Sequence, residues 1–313
     1  MSTTQIKSSK PLPQGRASLR KRRKSLHSPL HFLLFALPGA ILYFVFVLWP
    51  LVLAFWSSLT NEDAYRPKTS FVWFENYAKL FSDPAYLQVL GNTLVLTIIA
   101  VIVPNALGLG IAILLDRSGW AFNAMRAVFF VPVILSSVVV AVVWQQLMKD
   151  DGLINAALRP FTDNPPGWLS DPNLALYSVA TIVAWQSVGM CVVLYLAGLQ
   201  SIPKELLEAA SIDGAGPVRR FRNVTWPLLA PSVTIMTVLT MIGGFKIYDQ
   251  VKVMTNGGPG VGTTSTLAFD VIQTGLSSGA VGYSAAKAAV MFFIIALLSM
   301  ASMKIMKKRE VDL

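Results

Sequence analysis

The sequence predicts an all-α transmembrane protein of six helical spans, and three observations carry that expectation. Of 313 residues, 54% are hydrophobic and 13% charged, against about 25% charged in soluble domains, so lipid is the expected solvent. Six apolar stretches approach the roughly 20 residues that a helix needs to cross the hydrocarbon core. The basic residues fall mostly on one side of those stretches, which is the charge bias of a polytopic membrane protein.

The first span is read as Phe32 to Ser58, behind a tail rich in Ser, Pro, Lys and Arg. A basic tail before an apolar run resembles a signal peptide. This run is too long for that and no small-residue cleavage site follows, so an uncleaved helix is expected. The next spans are Leu87 to Leu115, Ala127 to Met148, Leu174 to Leu199 and Leu228 to Tyr248. The sixth, Tyr283 to Met306, contains Lys287, and only Ala288 to Met303 of it is free of charge. The expected organisation is a disordered tail over 1–28, a first helix and external loop over 29–86, and a membrane core over 87–308 with an inward loop at 200–227.

An even number of spans puts both termini on one side. Lys7, Lys10, Arg16, Arg20, Lys21, Arg22, Arg23 and Lys24 in the tail fall on the same face as Arg117, Arg126, Lys204, Arg219, Arg220, Arg222, Lys304, Lys307, Lys308 and Arg309. That face holds eighteen, and the opposite loops hold six: Arg66, Lys68, Lys79, Lys149, Arg159 and Lys252. Both termini are therefore expected in the cytoplasm. The net charge of +10 is explained by topology and calls for no nucleic acid.

Several chemistries are disfavoured. One cysteine, Cys191, allows no internal disulfide, and His27 and His31 cannot complete a thiol-imidazole metal site with it. No Gly-x-x-x-x-Gly-Lys-Ser/Thr phosphate loop occurs, so energy for any pumping must come from another subunit. The spans are nearly free of the mid-membrane ionisable groups that secondary transporters and channels use. The acidic pair Asp150-Asp151 lies beside Gly152 in an outward loop, where a solvated turn is expected rather than an enzyme site.

The inward loop is the most informative segment. Pro203 suits the first turn of a short helix, and Gly214 and Gly216 end it. Pro217 can then start a second short helix running to about Val224. Leu206, Ala209, Ala210 and Asp213 share one narrow face of the first helix. The loop reads Glu208-Ala209-Ala210-Ser211-Ile212-Asp213-Gly214-Ala215-Gly216 and ends Val224-Thr225-Trp226-Pro227.

With those residues the sequence resembles the integral-membrane component of ABC importers, in the carbohydrate-uptake group that includes maltose and glycerol-phosphate permeases. Val224 and Trp226 stand where the family pattern has Ile and Leu. The flanking runs Leu199-Gln200-Ser201-Ile202-Pro203 and Met254-Thr255-Asn256-Gly257-Gly258-Pro259 agree with it, and the likeness extends over roughly residues 30 to 308. The resemblance implies the transmembrane fold of a type I (MetI-like) ABC importer in the bacterial cytoplasmic (inner) membrane. It implies a coupling helix seated in a cytoplasmic ABC ATPase dimer, with Glu208 as polar anchor, Ala209, Ala210 and Asp213 on the docking face and Gly214 at the turn. It also implies a second homologous permease subunit and an extracytoplasmic solute-binding protein facing the loop Asn256, Gly257, Gly258 and Pro259. ATP and magnesium would belong to the ATPase, with no cofactor on this chain.

The expected solute is a sugar, oligosaccharide or sugar derivative. Thr237, Thr240 and Gly244 follow helical spacing in the fifth span, with Tyr248 one turn on. By resemblance to the maltose system, sugar contacts fall on Thr240, Gly243, Gly244 and Ile247, which here carry few polar groups. In the fourth span Trp185 and Gln186 offer an aromatic plane beside an amide, although Gln186 could instead bond between helices. The glycines could instead serve close helix packing. Lys246 and Lys287 would suit an anionic solute, or else snorkel to the interface.

Overall fold

The computed structural model describes residues 29–66 and 68–308. The tail 1–28, expected to be disordered, lies outside the described residues. The chain divides into two units, Met1–Leu51 and Val52–Leu313. The described part of the first is helical, through Pro29–Tyr43 and a π turn at Phe44–Leu48. A helix at Phe35–Ser58 has the length and apolarity of a membrane span.

The second unit is helical as well, with two isolated bridges and no strand among its described residues. Further helices long and apolar enough to cross a membrane are Pro84–Leu115, Ala175–Gln200, Pro217–Met254 and Val281–Lys307, and a bent pair completes six. The second span starts earlier than its first leucine suggests. Asp83 caps it, its Oδ1 accepting from the Ala85 amide at 2.9 Å, and Pro84 fills the first turn.

The third span is broken, contrary to the single helix expected over 127–148. Trp120–Ile134 and Ser137–Leu147 meet at 95°, with Leu135 and Ser136 extended at ψ 140° and 138°. Pro132 removes a backbone donor just before the break. The freed carbonyls find a donor in Gln186, whose Nε2 lies 3.1 Å from the Leu135 oxygen and 3.5 Å from that of Pro132. Irregular backbone is tolerated at membrane depth only where protein or a wet cavity receives it.

The inward segment also departs from expectation. Pro203 is the N-cap residue and the first short helix is Lys204–Ile212. The second is no separate element: Pro217–Arg220 continues through a π turn, Phe221–Thr225, into Trp226–Phe245. The π turn precedes Pro227, and its wider hydrogen-bond spacing absorbs the missing proline donor without breaking the rod.

The fourth span is the axis of the bundle, buried along most of its length, whereas the buried residues of the sixth, Gly282, Ser284, Ala286, Lys287 and Ala289, all lie in its first half. Glycines allow the close approaches. A Cβ at Gly108 would run into the Cys191 side chain, and one at Gly189 into the Phe129 carbonyl oxygen. Gly189→Leu therefore has to push the third span away, at a cost of about 1–3 kcal/mol or more. The expected result is loss of the monodisperse peak in fluorescence-detected size-exclusion chromatography. A variant that ran and melted like the parent would contradict this packing.

The stretch from 249 to 282, read as a Gly/Thr/Ser-rich outward loop, folds back onto the bundle. It carries two short helices, Asp249–Met254 and Leu267–Ile272. Val251, Thr264, Thr266 and Leu267 are fully buried. Thr266 Oγ1 accepts from the Phe269 amide and donates to the Ile247 carbonyl at 2.6 Å, while Thr93 Oγ1 accepts from the Leu267 amide at 2.8 Å.

Lys287 does not snorkel to an interface but is buried and paired inside the protein. Its ammonium is 2.7 Å from Asp270 Oδ2 and 2.9 Å from Thr274 Oγ1, with the Tyr283 ring 4.7 Å away. At 5% exposure it is a buried charge made tolerable by its partner.

Candidate substrate path and coupling surface

A cavity of about 550 Å³ lies where the second, third, fourth and fifth spans meet. Its walls are mostly apolar, from Ala100, Val133, Val183, Met190, Met236 and Leu239. Six of the eight residues read from the sequence as a solute path line it, namely Thr240, Gly243, Gly244, Ile247, Tyr248 and Gln186, and Thr237 is not among them. Nor is Trp185. One helical residue is a turn of about 100°, which carries its ring round to an edge contact with Trp144 at 5.4 Å.

The lining residues differ in what they leave available. Thr240 Oγ1 donates to the Met236 carbonyl at 2.8 Å and accepts from Asn105 Nδ2 at 3.0 Å, and Tyr195 hydrogen-bonds the other end of that amide. Its hydroxyl is committed to tying three spans together. Gln186 is committed too, because Gln250 Nε2 donates to its Oε1 at 3.2 Å while its own amide serves the broken third span. The two glycines have different tasks. A Cβ at Gly244 would sit 2.9 Å from Thr97 Cγ2 and 3.0 Å from Thr97 Cα, whereas one at Gly243 meets nothing within 4 Å. Gly244 is therefore a packing glycine, and Gly243 opens the cavity.

Sequence reading missed Ser137, Asp249 and Gln250 on the same wall. Pro132 with Ser136-Ser137 was the available signal for the first, since it marks the break. Nothing in the periodicity of 246–250 marks the fold-back that turns Asp249 and Gln250 inward.

At the other end of the fifth span, the Lys204–Ile212 helix closes in a Schellman turn. The Gly214 amide donates to Ser211 and the Ala215 amide to Ala210, with Gly214 at φ +75°. Leu207 anchors the helix in a core cluster with Leu199 and Ile202. Glu208, Ala209, Asp213 and Gly214 are exposed and Ala210 is half-buried. Ile212 and Val218, 86% and 81% exposed, flank the turn and were not picked out from the sequence.

The Asn256-to-Pro259 loop is an ordered turn. Asn256 sits at φ +48° and accepts from Lys252 Nζ at 2.8 Å, and Gly257 and Gly258 take φ +98° and +127°. Gly257 is buried, where a Cβ would come within 3.0 Å of the Phe269 ring and Ser265 Oγ. The glycines serve the turn, and Asn256 and Pro259 are the exposed members.

Residues 105–311 match the family model described as the binding-protein-dependent transport system inner membrane component. The chain belongs to this family. Relatives of this permease include a multiple sugar-binding transport system permease of Streptococcus mutans, 34% identical over 88% of this chain and 95% of the relative. An sn-glycerol-3-phosphate transport system permease of Agrobacterium fabrum is 32% identical over 90% of this chain and 95% of its own length. A probable starch degradation products transport system permease of Thermoanaerobacterium thermosulfurigenes is 29% identical over 94% and 99%. Among solved structures, a bacterial ABC transporter that imports the acidic polysaccharide alginate superposes with TM-score 0.77 at 17% identity, covering 90% of this chain and 96% of that one. The MetNI methionine transporter gives 0.51 at 17% identity, covering 76% and 99%. The fold is that of the MetI-like importer transmembrane domain, and the permease is a multi-pass inner-membrane component.

Proposed function

We propose that this permease is one transmembrane subunit of an ATP-driven importer carrying a sugar, oligosaccharide or sugar derivative into the cytoplasm. The observation that carries the reading is the continuous helix from Pro217 to Phe245, which joins the exposed Lys204–Ile212 elbow to the cavity wall at Gly243. The names of the relatives, among them multiple-sugar, starch-product and glycerol-phosphate permeases, support the solute class. A second homologous permease would complete the cavity, and a solute-binding protein would deliver solute at the face carrying Asn256 and Pro259. A cytoplasmic ATPase dimer, holding ATP and magnesium, would seat the elbow through Glu208, Ala209, Ala210, Asp213 and Gly214. This chain then performs no catalysis. It offers the solute differential contacts in outward-open and inward-open states, and ATP shifts the population between them.

Reconstituting the chain with a partner permease, ATPase and solute-binding protein from the same genome should give ATP-dependent uptake of labelled sugar into proteoliposomes. Uptake without ATP, driven by an ion gradient, would overturn the proposal. The basic bias predicts both termini in the cytoplasm. A reporter fused at Gly216 should therefore read as cytoplasmic and one at Gly258 as external; both on one side would end the six-span topology.

A further inference from the structure

The cavity wall carries two charges that the sugar-path reading does not use. Lys246 is the residue that ends Trp226–Phe245, and Asp249 opens Asp249–Met254, so the pair flanks the short break in the fifth span. Both line the cavity, and Lys246 also borders an apolar groove between the fifth and sixth spans. Neither forms an ion pair with any described residue, in contrast with Lys287 and Asp270 outside the cavity. Each is stabilised where it stands by a helix end of the favourable sign, a cation at a C-terminus and an anion in a first turn. Neither side chain has a hydrogen-bond partner among the described residues, so both keep donors or acceptors for a solute in the cavity they line. The other polar groups on the wall are largely spent: Thr240, Gln186, Ser187 and Gln250 each already hold a protein partner.

Resting on the solute-path reading, we infer that Lys246 and Asp249 form a paired specificity site for an uncharged polyhydroxylated solute. The chemistry follows from the groups. An ammonium only donates and a carboxylate only accepts. A sugar hydroxyl does both, so neighbouring hydroxyls satisfy Lys246 and Asp249 together. A uronate or phosphate ester presents acceptors, which pair with Lys246 and bring a second negative charge beside Asp249. Among walls this apolar the repulsion is poorly screened. This chain's side of the cavity therefore favours neutral sugars and disfavours anionic ones.

The test reads the field of the cavity and then its solute. Gly243→Cys, in a Cys191→Ser background and in the assembled importer, places a thiol on the open part of the wall. Its modification rates by cationic and anionic methanethiosulfonate reagents report the local potential. Balanced charges should give a ratio near that of a free thiol. Adding Lys246→Gln should shift the ratio toward the cationic reagent by about tenfold, and Asp249→Asn toward the anionic reagent by a similar factor. A ratio unmoved by both substitutions would show that neither charge faces the cavity and would overturn the inference while leaving the importer intact.

In proteoliposomes the parent should import labelled maltose or raffinose in preference to a galacturonate trimer or glycerol 3-phosphate. Lys246→Gln and Asp249→Asn should each lower neutral-sugar uptake by about tenfold, with Lys246→Arg retaining it, and Asp249→Asn should raise the relative uptake of the trimer. Preference of the parent for either anion would overturn the inference but not the sugar-permease reading. Import of neither class, with ATP present, would remove both.

Discussion

Gly214→Val is expected to abolish solute uptake in membranes that still contain the folded permease. At φ +75° a β-branched residue is strained by at least about 1–2 kcal/mol, and a Cβ there has no neighbour within 4 Å to push against. The penalty falls on the turn alone, so the elbow loses its shape while the spans remain packed. Glu208→Lys tests the same surface by charge, without strain, because Glu208 is exposed. Under the proposed assembly both variants should reduce uptake at least about tenfold. The ATPase should either co-purify poorly or hydrolyse ATP without responding to the binding protein. Retention of full uptake by both would show that this elbow is not the coupling element.

Gly243→Trp and Gly244→Trp should fail in different ways. Gly243 faces open space, so an indole there fills a large part of the cavity of about 550 Å³ without displacing a helix. Uptake should vanish while assembly and binding-protein-stimulated ATP hydrolysis persist. At Gly244 the new side chain must displace Thr97 of the second span, and overpacking of this kind costs about 1–3 kcal/mol or more. Recovery of the purified complex should fall along with uptake. Reversal of the two phenotypes would mean that Gly243 packs and Gly244 opens the path.

Lipid-facing helices were legible in the sequence because their requirement, an apolar run of sufficient length, is local. The inward elbow was legible for the same reason: proline, good helix formers and a left-handed glycine lie within a dozen residues. What escaped depends on partners distant in the chain. The break at Leu135 and Ser136 needs Gln186 to satisfy its carbonyls, 51 residues away. Lys287 reads as a lone cation until the fold-back brings Asp270 beside it. Thr240 reads as a free hydroxyl until Asn105 arrives from another span. Trp185 and Gln186 were grouped as sequence neighbours, and helical geometry sent them to different sides. Gly243 and Gly244 present the same problem: identical residues, adjacent in sequence, distinguished only by whether Thr97 stands in front of them.

The uninterrupted helix from Pro217 to Phe245 has a mechanical consequence. At about 1.5 Å per residue it is a rod of roughly 43 Å, and its π turn keeps Pro227 from becoming a joint. A rod that stays continuous through both Pro227 and Pro231 behaves as a lever. Tilting it by about 10° around one end moves the other by roughly 7 Å, which is close to the thickness of a sugar ring with its hydroxyls and greater than one helical turn. The first break in the helix beyond the inward elbow comes after Phe245, at the cavity itself. A tilt of the elbow would therefore be carried to the place where a solute would sit, and the helix first leaves its regular path between Lys246 and Asp249, which flank its break.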